Sequence, residues 1–125
     1  MNGDKFLIDT NIIIYLTQGK LRINDFAEKE DFLYISSITY METLGYPFQN
    51  QDEEKAINKF CNKFERIFLT KEIEAQTIHI RKSIKIKLPD AIIAATAIVY
   101  NLKLVTHNYD DFKNIQGLKI LNPIK

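Results

Sequence analysis

The chain has 125 residues, 46% of them hydrophobic and 26% charged, which is ordinary for a soluble globular protein and excludes the disordered class. Its length, together with the lack of any apolar run near the roughly 18 residues of a membrane span, leads us to expect one cytoplasmic domain, residues 1–125, with no signal peptide and no membrane partner. The net charge of +1 favours no particular partner, and the single cysteine excludes an internal disulfide framework.

Strands and helices are predicted to alternate along the chain. Short aliphatic and aromatic runs predict strands at residues 6–8, 32–35, 66–69, 102–106 and 118–121. Apolar spacing and capping residues predict helices at residues 11–16, 24–30, 38–45, from 52–54 onward, after Thr70, and at 89–100, with a polar turn or short helix at 107–112. Ser37 is the predicted N-cap of the third helix, and Pro89 with Asp90 marks the start of the helix at 89–100.

The alternation determines the expected fold class. Connecting helices of this length allow right-handed crossovers between neighbouring parallel strands. We therefore expect an α/β fold in which a mainly parallel sheet lies between two helical layers, as a three-layer α/β/α sandwich.

Four places in this arrangement combine an acidic residue with a strand end or an inward helix face. They are Asp9, Glu42, Asp90, and the group formed by Asn108, Asp110 and Asp111. Ligand sites in open α/β sheets lie at the carboxyl ends of the strands. We therefore expect a functional role for Asp9 more strongly than for an acid in the middle of a helix. Each also has a structural interpretation: Asp9 or Thr10 as a helix cap, Asp90 as a first-turn acid, Glu42 as an exposed acid, and Asp111 as a cap.

Carboxylates that gather without basic partners repel one another, which is costly unless a cation lies among them. Hard oxygen ligands suit Mg²⁺ or Mn²⁺, and no cysteine or histidine spacing suggests zinc. A cation held in this way can activate water and stabilise charge on a phosphoryl oxygen. The pattern therefore favours metal-dependent phosphodiester hydrolysis.

Four segments, taken together and in this order, resemble the PIN-domain nucleases, specifically the VapC-type toxins of bacterial toxin–antitoxin pairs. The segments are Leu7-Ile8-Asp9-Thr10-Asn11; Ile35-Ser36-Ser37-Ile38-Thr39 leading to Glu42; Leu88-Pro89-Asp90 with the following Ala91 to Ala97; and Leu104-Val105-Thr106-His107-Asn108 with Asp111-Phe112. The resemblance spans nearly the whole chain, including the closing Gly117-Leu118 and Asn122-Pro123.

The resemblance implies a PIN-like α/β/α sandwich, a homodimer, Mg²⁺- or Mn²⁺-dependent cleavage of RNA, and inhibition by a small VapB-like antitoxin. It implies that Asp9 and Asp90 are the principal metal ligands and that Glu42 completes the catalytic set. The family's fourth acid falls at Asn108 in this sequence, which leaves open whether Asn108, Asp110 or Asp111 fills that position of the acidic site; Asp111 is the predicted metal ligand among them. The predicted substrate-binding or site-orienting residues are Thr10, Asn11, Thr106 and Asn108.

Several alternatives stay open at this point. A catalytically silent PIN-like module that binds RNA or a protein is the competing function, and a receiver-like α/β domain is a third. Residues 81–125 hold eight basic against three acidic residues, and Lys87 and Lys103 are expected to hold an RNA backbone near the site. Tyr40, Tyr46 and Phe48 are expected to form a dimer face or, alternatively, to stack bases.

Overall fold

The computed structural model describes residues 3–124 and contains one five-stranded sheet. The strands are β1 (Lys5–Ile8), β2 (Phe32–Ser36), β3 (Glu65–Ile67), β4 (Lys103–Val105) and β5 (Ile120–Leu121). They lie in the order β3-β2-β1-β4-β5, and every neighbouring pair is parallel. The helices are α1 (Thr10–Thr17), α2 (Ser37–Leu44), α3 (Gln51–Cys61), α4 (Lys71–Ser83), α5 (Leu88–Val99) and α6 (Tyr109–Phe112).

The sheet separates two hydrophobic clusters because successive side chains of a strand point to opposite faces. In β1, Leu7 belongs to the cluster beneath α4 and α5, whereas Phe6 and Ile8 belong to the cluster beneath α1 and α3. All three side chains are buried. The expected α/β/α sandwich on a parallel sheet is therefore confirmed.

Helix α5 is the most completely buried helix of the second layer. Its alanines at 91, 94, 95 and 97 are at most 1% exposed, and it packs along α4. Small side chains let the two helices approach closely above the sheet, which fixes where the first turn of α5 meets the carboxyl ends of the strands. No helix among the described residues combines the length and apolarity needed to cross a membrane.

Three local predictions are corrected by the structure. Residues 24–30 do not form a helix; the chain makes only a short 3₁₀ turn at Ile23–Asp25. The N-cap of α2 is Ser36, whose Oγ accepts a hydrogen bond from the Ile38 N–H at 3.0 Å, and not Ser37. The strand predicted at residues 66–69 is β3 at Glu65–Ile67, so Phe68 and Leu69 lie outside it.

Candidate active site

Asp9 lies at the carboxyl end of the central strand and is 4% exposed. Its backbone N–H donates to the Val105 carbonyl at 3.0 Å, which continues the pairing of β1 with β4. Its Oδ2 accepts from the Thr106 hydroxyl at 2.7 Å and from the Asn11 side-chain amide at 3.2 Å. Its Oδ1 accepts from the Thr10 N–H at 2.8 Å, so Asp9 also caps α1. The Asp9 carboxylate therefore caps α1 and also belongs to the candidate site.

These contacts leave Asp9 in an electrostatically costly position. Burial raises the pKa of Asp9 above its ordinary value, and the nearby Glu42 carboxylate raises it further. The hydrogen bonds from Thr106, Thr10 and Asn11 act in the opposite direction, because they stabilise the charged form. The result is a buried carboxylate whose charge is only partly compensated by the protein.

Glu42 reaches this carboxylate from α2. The Thr10 hydroxyl donates to Glu42 Oε1 at 2.7 Å, and the Thr10 and Thr39 hydroxyl oxygens lie 3.4 Å apart. Thr10 therefore donates to both carboxylates, to Asp9 through its N–H and to Glu42 through its hydroxyl. These contacts are consistent with the predicted orienting role. Thr39, fully buried, was not predicted; its position one helical turn before Glu42 was the signal that could have identified it.

Asp90 lies in the first turn of α5 and is partly exposed. Its pKa is raised, mainly by burial and then by the negative charges of Asp9, Asp111 and Glu42, while Lys87 lowers it. Asp90 therefore lies within electrostatic range of three other acids that come from separate elements. The acids that the sequence singled out converge on one edge of the sheet.

The segment after β4 supplies the remaining predicted residues. The Thr106 hydroxyl, which donates to Asp9, accepts from the Asn108 N–H at 3.0 Å. Asn108 occupies the N-cap position of α6 but makes no side-chain capping bond, and Asp111 lies inside α6 and is not a cap. Asp110 pairs with Lys113 at 3.3 Å on the exposed surface. Asp111, which acts on the pKa of Asp90, is the better placed of the two acids.

Asn11 links the residues that follow β1 and β4 through two hydrogen bonds. Its side-chain amide donates to Asp9, and its Oδ1 accepts from the His107 N–H at 3.1 Å. The His107 ring packs edge-on against Tyr15, with ring centroids 5.8 Å apart. Lys103 lies far from this group, over the Phe6 ring at 5.7 Å toward the amino-terminal end of the strands. The expectation that Lys103 lies near the site is therefore wrong.

The donor set is made entirely of oxygen atoms, which suits a hard divalent cation. Among residues 3–124, no three histidine, cysteine, aspartate or glutamate side chains come close enough to hold one ion jointly. This is compatible with Mg²⁺, which is usually bound by one or two carboxylates, waters and substrate phosphates and not by a closed protein cage. Within the same described range, the only ion pair is the one between Lys113 and Asp110, so no basic side chain neutralises Asp9 or Asp90 by direct contact.

Comparison with known proteins identifies the family to which this fold belongs. The model of the PIN domain family matches residues 6–118. The chain is 32% identical to a protein of Rickettsia felis named Ribonuclease VapC1 over 126 residues, which cover 92% of this chain and 93% of that protein. The chain therefore belongs to the PIN domain family, in its VapC group.

Solved structures give the same result. The chain resembles a protein in a toxin–antitoxin complex from Klebsiella pneumoniae with a TM-score of 0.78 and 32% identity, covering 95% of this chain and 98% of that one. It resembles a protein in VapBC-1 from nontypeable Haemophilus influenzae with a TM-score of 0.84 and 27% identity, covering 97% and 99%. The resemblance seen in the sequence is confirmed.

Proposed function

We propose that this protein is a cytoplasmic, metal-dependent endoribonuclease toxin that cleaves RNA phosphodiester bonds and is inhibited by a cognate antitoxin. The observation that carries the proposal is the convergence of Asp9, Glu42, Asp90 and Asp111 from four elements, without an ion pair to any basic side chain in residues 3–124. The names of the relatives, ribonucleases and toxin–antitoxin complexes, support the same function.

Asp9, Glu42 and Asp90 would hold Mg²⁺ or Mn²⁺, one or two of them by direct contact and the others, with Asp111 from α6, through bound water, since within residues 3–124 no three of them lie close enough to hold one ion jointly. The cation supplies an activated water and a positive charge at the phosphoryl oxygen when it is bound. The other residues position these ligands. Thr106 and Asn11 hold the Asp9 carboxylate from β4 and α1, and Asn108 follows on an exposed turn where a substrate can reach it.

The raised pKa values of Asp9 and Asp90 support a cation at this site, in addition to the capping role of Asp9. Asp9 and Asp90 both lose favourable solvation, and each is repelled by other carboxylates. A doubly charged ion removes this cost, and it brings the chemistry that phosphodiester hydrolysis needs.

The test compares metal binding and RNA cleavage in three proteins. Asp90→Asn should abolish the calorimetric Mn²⁺ signal and slow RNA cleavage by about 100-fold or more, since even residues that only support metal ligands contribute 10- to 100-fold. Asp110→Asn is the matched control, because Asp110 is exposed and paired with Lys113. Equal cleavage by Asp90→Asn and the parent would exclude this site, and no Mn²⁺ binding by the parent would favour the silent PIN-like module.

The antitoxin is proposed to cover a groove of about 890 Å³ between α1, α2 and α3. Its lining is mainly apolar, with Ile14, Tyr46, Ile57 and Phe60, and it includes the carboxylates of Glu42 and Glu53. The buried Thr43 hydroxyl in this lining has no hydrogen-bond partner within residues 3–124. These features fit an amphipathic segment that carries a basic side chain toward Glu42.

A homodimer is proposed as well. Sedimentation velocity should then give twice the chain mass of 14.6 kDa at micromolar concentration. A mass that stays at the single-chain value over the whole accessible concentration range would contradict this proposal and leave the nuclease proposal standing.

A further inference from the structure

The short connection between α4 and α5, residues 84–87, has the side-chain alternation of an extended strand. Ile84 and Ile86 are partly buried and pack against the core beneath α4 and α5, whereas Lys85 and Lys87 are exposed. The backbone is extended at both ends, with φ −141° and ψ 159° at Ile84 and φ −67° and ψ 147° at Lys87. The two lysines therefore project outward from a segment that its isoleucines anchor.

These lysines form one wall of a groove that leads to the acidic site. The groove encloses about 730 Å³; Arg81, Lys85 and Lys87 line it from the end of α4 and the segment 84–87, and Asp90, Asp110 and Asp111 line it from α5 and α6. The Arg81 Nε donates to the Ile86 carbonyl at 3.3 Å and so fixes the segment to the end of α4. None of the three basic side chains forms an ion pair with any residue that the structure describes.

We propose that Lys85 and Lys87 bind two consecutive phosphates of an RNA strand next to the phosphate that is cleaved at Asp90. This proposal rests on the proposed nuclease function and names the surface that positions its substrate. Alternate residues of an extended segment lie about 7 Å apart, at about 3.3 Å per residue, which matches the separation of neighbouring phosphates in an extended single strand. The isoleucine anchors keep that spacing fixed before the strand binds.

The acidic residues in the groove lining explain why basic residues are needed to bind an RNA strand there. A phosphate that entered the groove would be repelled by Asp90 and Asp111, and by Asp110 except where Lys113 screens it. Contacts with Lys85 and Lys87 offset this repulsion and hold the backbone away from these carboxylates. The strand is then held beside Asp90, and only the phosphate at the end of the groove meets the carboxylate cluster.

The experiment measures the salt dependence of binding to a short fluorescein-labelled single-stranded RNA, in EDTA so that the strand is not cut. The Lys85→Gln/Lys87→Gln protein should show a log Kd against log salt slope that is smaller by about 1.4, because each phosphate contact with a single strand contributes about 0.7. Replacing both lysines with arginine should restore the slope.

Lys29→Gln/Lys71→Gln is the control with the same change of charge. Lys29 precedes β2 at the amino-terminal edge of the sheet, and Lys71 opens the 13-residue helix α4, about 20 Å from the segment at 1.5 Å per residue. An equal loss of slope in both double variants, an unchanged slope in the Lys85/Lys87 variant, or no RNA binding by the parent would overturn the proposal.

RNA cleavage with Mn²⁺ is measured separately on the same proteins. A parent that binds RNA through Lys85 and Lys87 but does not cut it would support the groove and contradict the nuclease function. A parent that cuts RNA with a slope that does not depend on these lysines would contradict the groove alone. The two failures are therefore distinguishable.

Discussion

Thr106 places one buried hydroxyl between two functional segments. The hydroxyl donates to Asp9 at 2.7 Å and accepts from the Asn108 N–H at 3.0 Å. It is the strongest of the hydrogen bonds that oppose the rise in the pKa of Asp9. Thr106 therefore favours the ionised form of Asp9 and at the same time fixes the turn that leads into α6.

Thr106→Val removes this hydroxyl with little change of volume. We expect RNA cleavage to slow by about 10- to 100-fold, as for other residues that orient metal ligands. The rising limb of the pH–rate profile should move to higher pH, because the pKa of Asp9 rises when its hydrogen bond is lost. Thr106→Ser should restore both the rate and the profile, and a slower enzyme with an unshifted profile would indicate a purely structural role.

The ionised carboxylate of Asp90 is expected to lower the stability of the metal-free protein, although the proposed cleavage reaction requires it. Its folded-state pKa lies above the unfolded value because of burial and of Asp9, Asp111 and Glu42. The fold therefore favours the protonated form, so the stability associated with this carboxyl is complete below the unfolded pKa and is lost as pH rises through the raised folded pKa. At neutral pH the ionised Asp90 destabilises the metal-free protein.

Asp90→Asn should consequently unfold at a higher temperature than the parent in EDTA at pH 7. The difference should shrink as pH falls toward the ordinary carboxyl pKa near 4. Thermal unfolding followed by circular dichroism at both pH values measures it, with Asp110→Asn as the control. A parent that is more stable than Asp90→Asn at pH 7 would mean that protein contacts, and not burial and repulsion, dominate at Asp90.

At the scale of the element, the start of α2 shows how neighbouring serines acquire different roles. Ser36 is the last residue of β2, pairs with Ile67, and has the extended backbone of an N-cap. Its Oγ accepts from the Ile38 N–H, whereas the buried Oγ of Ser37 has no partner among the described residues. The strand register decides which serine caps the helix, and composition alone does not reveal that register.

The two serines make a matched pair for mutation. Ser36→Ala should lower the free energy of unfolding by about 1 kcal/mol through loss of the cap, and it should weaken cleavage because α2 carries Glu42. Ser37→Ala should be neutral or slightly stabilising, since it removes a buried hydroxyl without a partner. Denaturant unfolding of both variants measures the difference. Equal effects at the two positions would contradict the assigned cap.

The positions of the strands and of the long helices along the chain were predictable from local patterns because hydrophobic periodicity reports directly on burial, whereas the order of the strands in the sheet was not predicted. The helix predicted at 24–30 failed for a local reason. The Asp25 side chain accepts from the Arg22 N–H, and the Asp31 side chain accepts from the Glu28 and Asp4 N–H groups. Such side-chain bonds compete with helical ones, and Asp4 lies too far away in sequence for its pairing with Asp31 to be read locally.

At the scale of the whole molecule, the fold distributes the basic residues of the last third of the chain over different surfaces. The basic residues of the last third do not form one face: Lys87 lines the groove beside Asp90, whereas Lys103 lies over Phe6. Two unlike grooves then adjoin the carboxylates. One has a basic wall formed by the end of α4 and the segment 84–87, and the other is apolar with acids from α2 and α3. A polyanion and a protein partner can therefore approach the same site from different sides.

This separation predicts that antitoxin binding can be weakened by a change in the apolar groove. Ala56 is exposed on α3 and lines that groove. Ala56→Arg would fill part of the volume and repel a basic side chain directed at Glu42 and Glu53. The Kd for the antitoxin should rise by about 30-fold, which corresponds to the roughly 2 kcal/mol of a hot-spot contact.

Glu54→Arg is the matched control, because it places the same side chain on an exposed position of α3 outside the groove lining. Calorimetric titration of each variant with the antitoxin gives the Kd, and inhibition of RNA cleavage by the same antitoxin gives an independent measure. Glu54→Arg changes the net charge by +2 and Ala56→Arg by +1, so a change in overall charge alone would weaken the Glu54→Arg variant at least as much as the Ala56→Arg variant. An antitoxin that binds the parent and Ala56→Arg equally well would show that it covers the carboxylates from another side, and the basic groove would then be the remaining approach.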